Sequence, residues 1–472
     1  MQQAVRPFGW RDKVGYLFGD FGNDFTFILS TMILMKFYTD VIGVHAGTVG
    51  TVMMLARFAD AFTDVTMGRI CDRSRTGRAG KFKPWILKMC IPVAAASFLM
   101  YQSAVAAAAG WVKVAYLSVT YILWGSVFYT AINIPYGSMA SAISDVPDER
   151  QSLSTFRTMG GLPAGMLIGI LLPLLAYQKN PETGREMLVG SRVTAAAGLF
   201  SVLAVICYLL CYAWVTERVP PQSGYRETGV GQMLRNALHS RALLSIIAAS
   251  VVMLLAQLTM QNMAGYIFPE YYNNAKAQSA STLTMLLGML LAAAFAKPLA
   301  RRFGKAEISA VSNLFAAAVC VTIFFLRPKS VWVYIALQLL CWLGLGVFSM
   351  VSWALITDVI DNAQLQNGVR EDGSIYALYS FARKLGQAAA AGASGWLLTA
   401  IGYNAEAARQ GVGQTPAVLD GIFNIATLVP ATGFFLLAVI LWFWYPLHKK
   451  QVTENVRALR ELHNRKDGQT DK

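Results

Sequence analysis

The sequence predicts an all-α integral membrane protein with twelve transmembrane helices in two pseudo-symmetric halves of six. Three observations predict it. Of 472 residues, 55% are hydrophobic and only 14% charged, with a mean hydropathy of +0.45, whereas soluble domains are roughly 25% charged. Apolar runs recur along the chain, each near the ~20 residues that a helix needs to cross a hydrocarbon core about 30 Å thick. A basic loop also repeats: GRICDRSRTGRAGKFK follows the second run and AKPLARRFGKAE the eighth, the corresponding place in each half of a duplicated chain. Runs such as VGSRVTAAAGLFSVLAVICYLLCYAWV do not alternate in polarity as the strands of a membrane barrel would.

In chain order, the first span covers 14–39; it is too long for a signal-peptide core and lacks a small-residue cleavage site close behind, so it is read as a retained helix. Spans at 46–71, 84–108, 112–142, 151–178 and 190–216 complete the first half. A polar linker at 217–240, with Pro220, Pro221 and several glycines, joins it to the second. Spans at 241–270, 279–300, 306–326, 331–360, 374–402 and 418–446 follow, then a polar tail at 447–472. The expected domains are therefore an N-terminal six-helix bundle, 1–216, and a C-terminal one, 241–446.

Short loops set orientation through their Lys and Arg bias. Arg6, Arg11 and Lys13, the DRSRTGRAGKFK loop, Arg218, Arg226 and Arg235 of the linker, the ARRFGK loop, and Lys449, Lys450, Arg457, Arg460, Arg465 and Lys466 of the tail fall on one side. That side is expected to be cytoplasmic, with both termini there, in a bacterial-type inner membrane. The formal charge of +14 then follows from topology and needs no nucleic-acid partner. The basic loop is expected to clamp the cytoplasmic helix ends through Asp72 and nearby arginines, or else to touch lipid headgroups.

Several chemistries are excluded. Cys71, Cys90, Cys207, Cys211, Cys320 and Cys341 lie in or at the ends of apolar runs without metal-ligand spacing, so no disulfide or zinc site is implied. His45, His239, His448 and His463 fall in loops or at span ends, leaving carboxylates as the only intramembrane proton carriers. GRAGK lacks the Gly at 75 and the Ser or Thr at 82 that a phosphate loop requires. No nucleophile and base constellation is visible, so no enzyme, resident cofactor or obligate protein partner is expected; membrane lipid is.

Within LARFADAFTD, Arg57, Asp60 and Asp64 interrupt an otherwise apolar span and share one helical face. A carboxylate at the bilayer centre costs several kcal/mol unless paired, hydrated or protonated, so such groups usually face a bundle interior. Two acids at one depth hold a small cation or bind a proton between them. The alternative is an Arg57–Asp60 pair that only positions helices. Asp24, in GDFGNDFTF, lies ~15 Å into the first span on helix rise; its two oxygens suit the adjacent hydroxyls of a sugar, or tie it to a backbone group. Span 4 carries Trp124, Tyr129, Thr130 and Asn133 ahead of Pro135, span 5 Arg157, span 7 Gln257 and Gln261, and span 11 Arg383 and Lys384. Tyr and Trp match the CH face and hydroxyl rim of a pyranose, or pack as interfacial anchors. Arg157 recognises substrate or snorkels to the surface.

Together, GDFGNDF, FYTDVIG, LARFADAFTD, GKFKPWIL, NIPYGS, TDVID, NGVREDGSIY and FARKLGQ resemble the glycoside, pentoside and hexuronide cation symporters of the major facilitator superfamily, the group of the melibiose permease and the glucuronide carriers. The similarity spans nearly the whole chain. It implies two six-helix bundles around a central site that opens alternately to either side. By motif, Asp24 resembles the family's sugar-binding acid, and Asp60 and Asp64 its helix 2 cation ligands, with Thr130 as helper. Arg157 and Lys384 fall at positions linked to sugar recognition and charge balance, and Arg383 lies beside Lys384.

Two departures bear on substrate and ion. The sodium-using melibiose branch has Asn before its second cation acid, where Thr63 stands here, which weakens the sodium assignment to Asp60 and Asp64 and leaves H+ or Na+ open. That branch also has Asp where Asn133 stands, as in the glucuronide-like branch. Loss of that negative charge, with Arg157 and Lys384 retained, favours a hexuronide; a neutral glycoside or pentoside stays open. The expected function is cation-coupled symport. The other classes are an uncoupled sugar facilitator and a carrier of lysolipids or other amphiphiles, against which the deep acids and the polar spans respectively argue.

Overall fold

Every apolar run of the sequence is helical in the computed structural model, which describes residues 6–74, 77, 79–219, 240–367 and 372–470. The rods, in order, are α1 (Trp10–Lys36), continued by a π turn (Phe37–Val41); α2 (Ala46–Arg73); and α3 (Lys83–Leu99). The fourth joins α4 (Gly110–Ile122), a π turn (Leu123–Tyr129) and α5 (Thr130–Ile143). Then come α6 (Pro147–Ala176), a hairpin of β1 (Tyr177–Lys179) and β2 (Glu186–Leu188), α7 (Gly190–Trp214), α8 (Arg241–Tyr266) with a π turn (Ile267–Tyr271), and α9 (Ala277–Phe303). The last are α10 (Lys305–Leu326), α11 (Val331–Asn367), α12 (Asp372–Ala400), a short α13 (Ala405–Arg409), α14 (Pro416–Val439) with a π turn (Ile440–Trp444), and α15 (Lys449–Thr470).

Local chemistry sets several of these ends. Asp12, at the third position of α1, accepts from the Gly9 amide at 3.2 Å, closing the first turn. Gly304, at φ +108°, separates α9 from α10, a backbone state that a side chain disfavours. Among the described residues, nine helical rods are long and apolar enough to cross a membrane on length and composition alone. Of the long helices outside that set, α1, α2 and α12 carry Asp24, Asp60, Asp64, Arg383 and Lys384.

Sequence and structure differ in two places. The segment at the end of the fifth span turns into the β1–β2 hairpin, with Tyr177 opposite Leu188. Asn180 makes the turn by accepting from the Glu182 amide at 2.9 Å, and Gly184 takes φ +65°. The polar tail is a helix, α15, packed on α11, where Asn455 donates to Asn362 at 3.1 Å. Arg226, Arg235, His239, positions 368–371 of NGVREDGSIY, Arg75 and the side chain of Asp72 lie outside the described residues, and with them the expected Asp72 clamp.

Two compact units divide the chain. The first is Met1–Tyr225 with Gln261–Thr282 and Ala391–Ile422. Within it α1 packs on α6 and α7, and α2 on α4 and α5. Tyr16 and Tyr136 stack at 4.6 Å and each hydroxyl donates to the other's backbone carbonyl, at 3.3 and 2.7 Å, pinning α1 to α5. The second unit is Arg226–Met260, Leu283–Ala390 and Phe423–Lys472. There α10 and α11 pair along their length, joined by Lys305 and Asp358 at 2.6 Å.

Candidate functional site

Asp60 and Asp64 sit one turn apart on α2 and face the π-distorted rod. Ser126 donates to Asp60 Oδ1 at 2.5 Å and Thr130 to Asp64 Oδ1 at 2.8 Å, so two hydroxyls one turn apart meet two carboxylates one turn apart. The π turn at Leu123–Tyr129 aligns them. Its wider winding leaves the Gly125 carbonyl within 3.1 Å of Thr130 Oγ1, and a Cβ at Gly125 would stand 3.3 Å from Asp60 Oδ1. That carbonyl also accepts from the Thr130 backbone amide, and single-turn π segments of this kind are frequent at functional sites. The carboxylates, hydroxyls and this carbonyl form an all-oxygen set suited to a small hard cation or a proton. No group of three or more His, Cys, Asp or Glu side chains placed for a metal ion occurs among the described residues. Thr63 takes no direct part in the rungs: its hydroxyl donates back to the Asp60 carbonyl at 3.1 Å.

Arg57 lies 3.6 Å from Asp60 Oδ2, with its guanidinium carbon 4.7, 5.9 and 5.8 Å from the ring centres of Phe27, Tyr121 and Trp124. An aromatic cage of this kind holds a cation through the ring quadrupoles. Trp124 is 0% exposed and is a wall of that cage, whereas Tyr129, 5.4 Å from it and 5.7 Å from Phe27 between ring centres, continues the aromatic face toward α1.

A second acid pair belongs to α1. Asp20 and Asp24 are again one turn apart, and Arg157 of α6 donates through Nε to Asp20 Oδ1 at 3.1 Å. The guanidinium lies 5.2 Å over the Tyr136 ring. Room for the two carboxyls comes from Gly160 and Gly161: a Cβ on Gly160 would meet the Leu17 carbonyl at 2.6 Å, and one on Gly161 would collide with Asp24 Oδ2. Asn133 accepts from Asn23 at 3.4 Å, and Tyr208 donates to Asn23 at 2.9 Å. The first unit thus brings Asp24, Tyr129, Asn133, Arg157, Asp60, Asp64 and Thr130 onto adjoining helices. Arg383 and Lys384 belong to the second unit, where both are half-buried on α12 and Arg383 lies 5.7 and 5.8 Å from the Trp353 and Tyr379 ring centres.

Sequence reasoning overlooked Asp20, Ser126 and the glycine pair. The signals were present: Asp20 repeats the four-residue spacing to Asp24, and Ser126 that to Thr130, matching Asp60 and Asp64.

Comparison with known proteins agrees with this architecture. The profile of the family described as MFS/sugar transport protein matches residues 15–449. The chain is 31% identical over 463 residues to the glucuronide carrier protein homolog of Escherichia coli strain K12, covering 97% of this chain and 96% of that one. It is 29% identical over 455 residues to the uncharacterized symporter YjmB of Bacillus subtilis strain 168, covering 96% and 95%. Its fold is similar to the crystal structure of a bacterial homologue of the human lysosomal transporter Spinster, with a TM-score of 0.66, 10% identity and coverage of 92% and 95%. A helical chain whose acids lie on membrane-length rods, matched by this profile over nearly its whole length, belongs to the MFS/sugar transport protein family and is a multi-pass membrane transporter of the major facilitator fold.

Proposed function

We propose that the chain is a cation-coupled symporter of a hydroxylated, acidic sugar of the hexuronide class, working by alternating access between halves 1–216 and 241–446, in an inner membrane with both termini cytoplasmic. The observation that carries this reading is the double rung of Asp60–Ser126 and Asp64–Thr130 beside the caged guanidinium of Arg57. Two carboxylates one turn apart, each met by a hydroxyl in an all-oxygen setting, favour binding of a travelling H+ or Na+. Binding there lowers the negative charge next to Asp20 and Asp24 and so favours an anionic substrate. The coupling is reciprocal: whatever the ion adds to sugar affinity, the sugar adds to ion affinity.

Asp24 supplies acceptors for sugar hydroxyls, Tyr129 an aromatic face for the ring and Arg157 donors for the acid group. Asn133 keeps a polar contact without a further negative charge. The relationship to a protein named as a glucuronide carrier homolog supports the substrate class, and a relative named as a symporter supports coupling.

Proteoliposome uptake driven by an imposed proton or sodium gradient tests the reading. Wild type should accumulate a glucuronide, and Asp64→Asn should lose accumulation while still exchanging sugar across the membrane. Full gradient-driven accumulation by Asp64→Asn overturns the coupling, and exclusive transport of the uncharged glycoside overturns the substrate class.

A further inference from the structure

Arg157 is held on three sides. Asp20 accepts from its Nε at 3.1 Å, Tyr136 lies beneath its guanidinium at 5.2 Å, and Gly137 adjoins it, so that a Cβ there would stand 3.5 Å from Nη1. Tyr136 is itself immobilised by its stack on Tyr16 and the two reciprocal backbone hydrogen bonds. Even so, 40% of the Arg157 side chain is exposed, against 16% for Asp20. A guanidinium has five N–H donors in a rigid plane; fixing the Nε edge and one face fixes where the others point. Asp24, one turn further along α1, is the other acid of this face, and Gly161 leaves it room beside α6.

We propose that Asp20 is a positioning and specificity-determining residue: it clamps the Nε edge of Arg157 so that the remaining donors are presented to the carboxylate of the substrate, while Asp24 takes the hydroxyls. This rests on the reading of an acidic sugar substrate given above. Without the clamp, Arg157 is free to swing on three methylenes, and a two-point contact with a carboxylate loses its geometry. A neutral glycoside makes no such contact and feels the loss less. The opposite role, in which Asp20 competes with the substrate for Arg157, predicts the reverse sign.

The test compares wild type, Asp20→Ala and Asp20→Asn in proteoliposomes, each first checked for a monodisperse elution profile, with phenyl β-D-glucuronide and phenyl β-D-glucoside as probes. In Asp20→Ala the KM for the glucuronide should rise at least tenfold and that for the glucoside less than threefold, with maximal rates within twofold. Asp20→Asn, whose amide oxygen still accepts from Nε, should recover most of the glucuronide affinity. Equal shifts for both sugars, a lower glucuronide KM in Asp20→Ala, or no advantage of Asn over Ala overturns the proposal. Should wild type move only the glucoside, the substrate class fails. The Asp20 role, defined on the substrate carboxylate, then falls with it, whereas any of the three outcomes above in a wild type that moves the glucuronide overturns that role alone. If Asp20→Ala is not monodisperse, Asp20→Asn and Asp20→Ser give the same comparison.

Discussion

Lys36 donates to Glu270 Oε1 at 2.9 Å, from a position 234 residues earlier in the chain, and pairs at the same time with Asp40. All three are buried, at 2%, 8% and 4% exposure. Asp40 and Glu270 are the fourth residues of two π turns, FYTDV and IFPEY, which end the first span of each half. Two acids at the same step of two π turns thus meet in the first unit, and one ammonium serves both. Tyr403 donates to Asp40 at 2.8 Å, and the Tyr266 ring lies 4.5 Å from the ammonium.

Removing that ammonium leaves two buried carboxylates facing each other, and breaking a buried pair from one side typically costs about 3–5 kcal/mol. Lys36→Met should therefore lower the thermal midpoint by several degrees in detergent. Adding Glu270→Gln should recover part of the loss, because one uncompensated charge is then removed. A Lys36→Met midpoint equal to wild type contradicts the account.

The rungs between α2 and the fourth rod make separate demands on ion affinity. A hydrogen bond to a charged group is worth about 1.5–3 kcal/mol, so Thr130→Ala should shift the apparent affinity for the coupling cation about tenfold or more: weaker for Na+, which loses an oxygen ligand, and tighter for H+, because the Asp64 carboxylate is no longer held in its charged form. Thr130→Ser keeps the hydroxyl and should stay near wild type. Ser126→Ala removes the 2.5 Å bond to Asp60 but leaves Arg57 beside it, so its effect should be smaller than that of Thr130→Ala. Cation-activation curves of sugar uptake read all three; an equal response of the two alanine variants excludes this division.

The rods were legible because lipid demands a long, mostly apolar helix with every backbone group satisfied inside it; starts such as 46, 190, 241 and 331 coincide with α2, α7, α8 and α11. Asp24, Asp60, Asp64 and Arg157 stood out for the same reason, as charges where the solvent is hydrocarbon. Their partners were harder to see. Ser126 is unremarkable in an apolar run until a π turn rotates it onto Asp60, and π winding leaves no periodicity in the sequence. Lys36 and Asp40 fall at a span end, where charges ordinarily meet water; only the return of the chain at Glu270 and Tyr403 buries them. Gly160 and Gly161 read as simple helix weakeners until the carboxyls of α1 fill the space beside them.

Those glycines give a graded series. Gly161→Ala puts a methyl group against Asp24 Oδ2, a terminal group that can turn away, so the fold should persist while the substrate KM rises several-fold. Gly160→Ala meets the Leu17 carbonyl at 2.6 Å, which is backbone and cannot yield without parting α1 from α6. Overpacking of this kind costs about 1–3 kcal/mol. Gly68 of α2 has nothing within 4 Å of an added Cβ, so Gly68→Ala should stabilise by roughly 0.5–1 kcal/mol through helix propensity. Thermal midpoints in the order Gly68→Ala, wild type, Gly160→Ala are expected; a midpoint for Gly160→Ala at or above that of Gly68→Ala refutes the packing argument.

Glu217 caps a helix that begins 134 residues before it. Its carboxylate accepts from the amides of Lys81, Phe82 and Lys83 at 2.7, 2.9 and 2.7 Å, the last two at the N-cap and first residue of α3, where the helix has no partner of its own for them. Gly80, at φ +104°, makes the turn into it and leaves space that a Cβ would take from the same carboxylate. A cap and a negative charge at a helix N-terminus are each worth about 1 kcal/mol, so Glu217→Ala should cost about 1–2 kcal/mol. Glu217→Gln should cost less, since one oxygen still accepts. The decisive reading is local: amide hydrogen exchange at positions 81–83 should accelerate in Glu217→Ala well beyond that in the middle of α3. Unchanged protection there shows that water or another group caps α3 equally well, and that the link from the end of α7 to the start of α3 does not rest on Glu217.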